Sequence, residues 1–147
     1  MTTADIILDS SVIAKWFFPE ESGQLALKIK DDFTANVTSI SAPLLLYWEI
    51  NNLLKTATKR LRITVKSAVS VYEAFLKLNF IVYSSEELMA KTLKIAIQFD
   101  ISSYDASYVA LAEYLQKPFF TADQKLLSKI ISNFVFDLKS YGEKLYY

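Results

Sequence analysis

The sequence predicts an α/β fold, a three-layer α/β/α sandwich around a central, mostly parallel sheet of about five strands. Short runs of β-branched and aromatic residues alternate with longer stretches whose apolar residues recur at helical spacing. Those short runs are apolar throughout rather than two-faced, as strands covered by helices on both sides must be. With only two glycines, three prolines and no low-complexity stretch or internal repeat, the 147 residues offer no linker and read as a single domain, 1–147.

The first strand is expected at 5–9, where Ile6-Ile7-Leu8 runs into Asp9 and a helix begins at Ser10-Ser11-Val12-Ile13-Ala14. Trp16-Phe17-Phe18 is too apolar to leave in water beside Pro19, Glu20 and Glu21, so it packs under the next helix or lines a partner groove. The second strand is expected at 37–40. Ser41 and Pro43 then open a helix running to about Arg60, with Leu46, Ile50, Leu53 and Ala57 as its apolar stripe. The third strand is expected at 80–83. Ser102-Ser103-Tyr104-Asp105 reads as a capping box opening a largely apolar helix, with Tyr108, Val109 and Ala112 on the side of Asp105. Strands at 119–121 and 134–136 complete the sheet, and Tyr141, Tyr146 and Tyr147 in the tail pack on the body or on a second copy.

Sixteen basic and sixteen acidic residues cancel, so nucleic-acid binding would rest on a local patch. One candidate exists: between Ile50 and Tyr72 there is no acid, while Lys55, Lys59, Arg60, Arg62 and Lys66 crowd together, either as a rail for RNA phosphates or as a solvated helix end. The start lacks a basic n-region and no apolar run approaches the ~18 residues of a membrane span, so a soluble, cytoplasmic protein is expected. Histidine and cysteine are absent, which excludes a disulfide scaffold, a thiolate nucleophile and an imidazole base. Any metal site must use oxygen ligands, which suits hard cations such as Mg²⁺ or Mn²⁺ better than zinc.

Four carboxylates stand beside apolar elements. Asp9 and Asp123 each end an expected strand and open a helix, where an acid commonly serves as an N-cap. Asp105 has its own capping explanation. Glu49 has none, because it lies well inside its helix, about 60° from Leu46 on the shoulder facing the sheet; the bland account is a side chain reaching water or pairing with Arg60. One shared cause is more economical than four separate ones. Two strand ends and two helix faces of one sheet would bring all four into a cleft at the carboxyl ends of the strands, where ligands collect in such folds. Like charges there raise one another's pKa, and a divalent cation relieves them.

Four segments, Ile7-Leu8-Asp9-Ser10-Ser11-Val12 and onward to Glu20, Ser41-Ala42-Pro43 through Glu49 to Leu53, Tyr104-Asp105-Ala106 through Glu113, and Thr121-Ala122-Asp123, resemble the PIN-domain family, particularly its VapC-type toxins. The resemblance covers essentially the whole chain. It implies a metal-dependent endoribonuclease hydrolysing RNA phosphodiesters with one or two Mg²⁺ or Mn²⁺ ions. It also implies a homodimer paired with a small, VapB-like antitoxin that blocks the site. By position, Asp9, Glu49, Asp105 and Asp123 match the family's acidic quartet, and Ser11 matches a serine that assists a water or a phosphate oxygen. Asp9 and Asp105 would hold the first cation, with Glu49 and Asp123 contributing to it or to a second. Thr121 stands where some members carry another acid. An RNA-processing nuclease or a scaffold on the same fold is the alternative role. A receiver-like signalling module, suggested by Lys139, lacks the acid it needs after the third strand, where Ser84 stands.

Overall fold

Ile6, Ile7 and Leu8 have no solvent-exposed surface, a burial on both faces that only a central strand covered by two layers can meet. The computed structural model describes residues 4–18, 23–84 and 86–143. In it these residues form β1 (Ala4–Leu8), which pairs in parallel with β2 (Thr38–Pro43) on one side and β4 (Phe119–Thr121) on the other. Outside them lie β3 (Ile81–Tyr83) and β5 (Val135–Asp137), also parallel, giving the order β3-β2-β1-β4-β5.

The helices are α1 (Ser10–Phe17), α2 (Gln24–Thr34), α3 (Leu45–Lys59), α4 (Val65–Leu76), α5 (Glu87–Phe99), α6 (Ser103–Leu115) and α7 (Gln124–Lys129), with a 3₁₀ turn at Leu138–Ser140. Strand order runs outward from β1 to β3, then restarts at β4 on the far side of β1. Because such crossovers are right-handed, that reversal sends the helices after β1 and β2 to one face and α5 and α6 to the other. The three layers expected from the sequence follow. Among the described residues no helix is long and apolar enough to cross a membrane.

The aromatic residues of the first helices belong to the core. Trp16 stacks on Phe33 and Phe80, Phe75 packs against Phe17, Tyr47 and Phe80, and the indole N–H of Trp16 donates to the carbonyl of Ala26 at 2.9 Å. Tyr141 packs edge-on against Phe120 and donates to Asp32 Oδ2 at 2.8 Å, so this tail tyrosine packs on the body. Tyr146, Tyr147, Pro19, Glu20 and Glu21 lie outside the described residues.

Two details of the third helix differ from the sequence reading. Ser41 and Pro43 do not open it: both belong to β2, where Ser41, Ala42 and Pro43 pair with Ile81, Val82 and Tyr83. Strand pairing overrides the local helix-start signal, and Pro43 is tolerated because it sits at the strand's end. The helix starts at Leu45 behind Leu44, which makes no side-chain cap. Its fully buried stripe is Leu46, Ile50, Leu54 and Ala57, with Leu53 only half-buried, because α4 packs along this helix as well as the sheet side.

Glycine scarcity shows at the helix ends. Asn36, Leu61, Asp100 and Gln116 adopt left-handed φ of 58°, 59°, 52° and 53°. After each, the next N–H donates five residues back, Val37 to Asp32, Arg62 to Ala57, Ile101 to Ala96 and Lys117 to Ala112, closing α2, α3, α5 and α6 in the manner glycine usually permits.

Candidate active site

Asp9 follows the last residue of β1 and caps α1, its Oδ1 accepting from the Ser11 backbone N–H at 3.1 Å. The same oxygen accepts from the Ser11 hydroxyl at 2.5 Å, and Oδ2 accepts from Thr121 at 2.6 Å. Thr121 is placed by register: β1 pairs Leu8 with Phe120, so the next residues along, Asp9 and Thr121, face each other. Ser11 also accepts from the Ala122 N–H at 3.1 Å and Thr121 accepts from the Asp123 N–H at 3.1 Å. These bonds lace the ends of β1 and β4 together at the point where strand order reverses.

Asp123 caps α7, Oδ1 receiving the N–H groups of Lys125 and Leu126 at 3.0 and 3.1 Å. Asp105 lies in the first turn of α6, where its N–H donates to the Ser102 hydroxyl at 3.0 Å. The caps expected of Asp9 and Asp123 therefore hold, and at α6 the Ser102 half of the capping box is formed. They do not exclude a shared site: the Asp123 cap uses Oδ1 alone, and Asp105 is not itself the cap of its helix, which is Ser102. Glu49 is half-buried on α3, and it does not take Arg60 as partner: Oε1 accepts from the Tyr108 hydroxyl at 2.5 Å, with Ser10 nearby.

The four acids share one electrostatic neighbourhood. Burial pushes the Asp9 carboxyl from its ordinary 3.8 up to about 6 against the hydrogen bonds of Ser11 and Thr121, and the charges of Glu49 and Asp105 push it the same way. Glu49 is raised by burial and by Asp105; Asp105 is raised by burial and by Asp123, while Lys125 draws it back down. Asp9, Glu49 and Asp105 thus form a mutually repelling triangle that Asp123 joins through Asp105.

Among the described residues no three carboxylates close into a ready-made coordination shell, and Asp9, Glu49 and Asp123 each accept hydrogen bonds of their own. The donor chemistry nevertheless fits a hard divalent cation. Every candidate ligand is a carboxylate or hydroxyl oxygen, burial first and neighbouring acids second push Asp9, Glu49 and Asp105 above their ordinary pKa, and the chain has neither imidazole nor thiolate.

Three participants escaped the sequence reading. Tyr108 was placed on the Asp105 side of its helix, but its partner, 59 positions earlier, is visible only in the fold. In the sequence Thr121 shows only as a missing acid, whereas in the fold its hydroxyl fastens Asp9. Lys125 carries no distinguishing local pattern.

A family model described as "PIN domain" matches residues 6–130. Ribonuclease VapC3 of Pyrobaculum aerophilum is 28% identical over 128 residues, which cover 84% of this chain and 93% of that protein. Among solved structures, VapBC-1 from nontypeable Haemophilus influenzae superposes with a TM-score of 0.66 at 14% identity, over 92% of this chain and 98% of that one. A toxin-antitoxin complex from Klebsiella pneumoniae superposes with a TM-score of 0.58 at 15% identity, over 90% and 97% of the respective chains.

Proposed function

The chain belongs to the PIN-domain family, and from that premise we propose that it is a metal-dependent endoribonuclease, hydrolysing RNA phosphodiesters as the toxin of a toxin-antitoxin pair. The observation that carries this reading is the gathering of Asp9, Glu49, Asp105 and Asp123, from four different elements, into one repelling cluster beside the switch point of the sheet. Structural ion-pair networks rarely consist of acids alone. The name of the Pyrobaculum relative supports the substrate, and the Klebsiella complex supports an antitoxin partner.

Asp9 and Asp105 would hold a Mg²⁺ or Mn²⁺ ion, with Glu49 and Asp123 contributing to it or to a second. When bound, such an ion lowers the pKa of a water and takes up charge on the attacking and leaving oxygens. The protein's own groups do the positioning. Ser11 and Thr121 fix both oxygens of Asp9 from α1 and β4, and Tyr108 holds Glu49 turned toward the cluster. Ser11, whose proton is committed to Asp9, acts here by orienting that acid. An antitoxin would block the cleft by presenting a basic side chain to the acids.

A homodimer, which the resemblance implies, would use the apolar groove where α3, α5 and α6 meet, lined by Leu44, Trp48, Met89 and Tyr104. Trp48, Met89 and Tyr104 are each more than half exposed, as a partner face requires. Trp48→Glu should halve the mass read by light scattering.

The decisive experiment incubates the purified protein with structured and single-stranded RNAs in Mg²⁺, in Mn²⁺ and in chelator. Asp9→Asn should abolish divalent-dependent cleavage by at least a hundredfold and keep the far-UV circular dichroism of the parent. Undiminished cleavage by Asp9→Asn removes that residue from the mechanism. Co-purification with a small DNA-binding partner separates a toxin from a processing nuclease.

A further inference from the structure

A second feature opens from the acidic cluster. A groove of about 420 Å³ begins at Ser10 and Glu49, runs between the end of α1 and the last turns of α3, and reaches Arg60 and Arg62. One stripe of α3 forms its floor: Glu49, Asn52, Thr56 and Arg60 recur at intervals of three and four residues and so share a face. At helical rise the stripe spans about 16 Å.

We propose that this groove is the track on which a single-stranded RNA lies as it enters the acidic cluster, with Arg60 and Arg62 holding backbone phosphates upstream or downstream of the cut. The proposal rests on the nuclease reading and adds the path of the substrate. It depends on charge arrangement. Among the described residues that line it, an acidic end that needs a cation is joined, by the neutral hydrogen-bonding side chains of Asn52 and Thr56, to an end that carries the Arg60 guanidinium, with Arg62 beside it. A polyanion bridging a bound cation and two arginines is complementary to that order of charges along its whole length.

Local structure explains why both arginines reach the same groove. The left-handed Leu61 between them turns the chain back at the end of α3, and the Arg62 N–H returns to the Ala57 carbonyl at 2.9 Å. Without that reversal, residues 60 and 62 would leave the helix end in different directions. Leu61 itself, 91% exposed, gives its side chain to solvent. The Arg62 guanidinium also lies over the Phe18 ring, 4.3 Å from its centroid, which orients it across the groove.

The basic run seen in the sequence therefore divides. Lys55 lines a separate groove between α3 and α4, with Tyr72 and Glu73, and is not part of the track. Phe18 is only 6% exposed and offers no face for base stacking. Asn52 and Thr56 are placed to meet 2′-hydroxyl groups, the feature that distinguishes RNA from DNA.

The test is fluorescence anisotropy of a 5′-labelled 12-nucleotide oligouridine in chelator, as a function of salt, for the parent and for Arg60→Gln, Arg62→Gln and the double variant. Each glutamine should lower the slope of log K against log salt by about 0.7, weakening binding about fivefold at 0.1 M salt. Arg60→Lys and Arg62→Lys should restore the slope, and Lys55→Gln should leave it unchanged. In Mg²⁺ the glutamine variants should raise KM for the same oligomer by a similar factor at constant kcat. A matching melting temperature for Arg62→Gln, or failing that the Arg60→Gln data alone, keeps folding out of the comparison.

A parental slope in Arg60→Gln and in the double variant overturns the proposal, as does an equal loss in Lys55→Gln. If that parental slope accompanies lost affinity for an acidic amphipathic peptide, the groove belongs to a protein partner and the proposal is equally overturned. Failure of this track is distinct from failure of the nuclease reading. A parent protein that neither binds nor cuts any RNA ends both, whereas one that cuts normally while its arginine variants bind unchanged ends the track alone.

Discussion

At Asp9, burial and hydrogen bonding act in opposite directions, and burial wins: three donated bonds do not bring the carboxyl down from about 6. The folded state therefore favours the protonated form. Stability from this group is fully present below its ordinary value near 3.8 and is lost as pH rises through about 6, a loss of roughly 3 kcal/mol at most. Urea unfolding in chelator should show the parent losing stability between pH 4.5 and 7.5 relative to Asp9→Asn, and added Mg²⁺ should restore it at pH 7.5. Tyr108 carries a second expectation. Its hydroxyl is buried, donates to Glu49 and is itself pushed well above the ordinary tyrosine range by burial and the neighbouring acids, so it stays a neutral donor. Tyr108→Phe should cost about 1–2 kcal/mol and lower kcat some 10- to 100-fold, measured by thermal melting and single-turnover cleavage. At this scale the acids stand out in the sequence because Asp9, Glu49 and Asp123 follow apolar runs and Asp105 completes a helix-start pattern. Their hydroxyl partners were not, because a serine, threonine or tyrosine acquires meaning only when a distant carboxylate arrives beside it.

Elements were legible to the degree that their signals were local. The strands at 119–121 and 80–83 and the end of α3 near Arg60 follow from apolar runs and spacing. The start of α3 was misplaced because Ser41 and Pro43 suit a helix entry, whereas pairing with β3 holds them in a strand. The left-handed helix ends were invisible, since none of Asn36, Leu61, Asp100 and Gln116 is the glycine that usually announces such a turn. Leucine is the least suited of the four, because its Cβ crowds the following carbonyl in this conformation and no short polar side chain compensates. Leu61→Gly should raise stability by about 0.5–1 kcal/mol, read as a shift in urea midpoint without a change in slope.

Across the whole molecule, the alternation of strand and helix was enough to anticipate a parallel, doubly covered sheet, and the rule that ligands gather at the carboxyl ends of strands was enough to look for a cleft. The order β3-β2-β1-β4-β5 was not readable. It depends on which strands find each other across more than a hundred residues, as Leu8 finds Phe120. That order decides the site, because it seats β4 beside β1, so bringing Thr121 to Asp9 and Asp123 to the same end of the sheet. The donors that hold Asp9, Glu49 and Asp123 are equally a property of the assembled fold, since for Asp9 and Glu49 they come from elements far away in sequence.

The pairing of β1 with β4 also governs when activity can arise during translation. A ribosome-bound nascent chain that has emerged only through α6 already carries Asp9, Glu49 and Asp105, yet Asp9 still lacks the strand that supplies Thr121, and Asp123 has not been made. On the proposed nuclease reading, such a fragment should leave RNA intact, so the growing polypeptide does not attack its own template before β4 and Asp123 have been made.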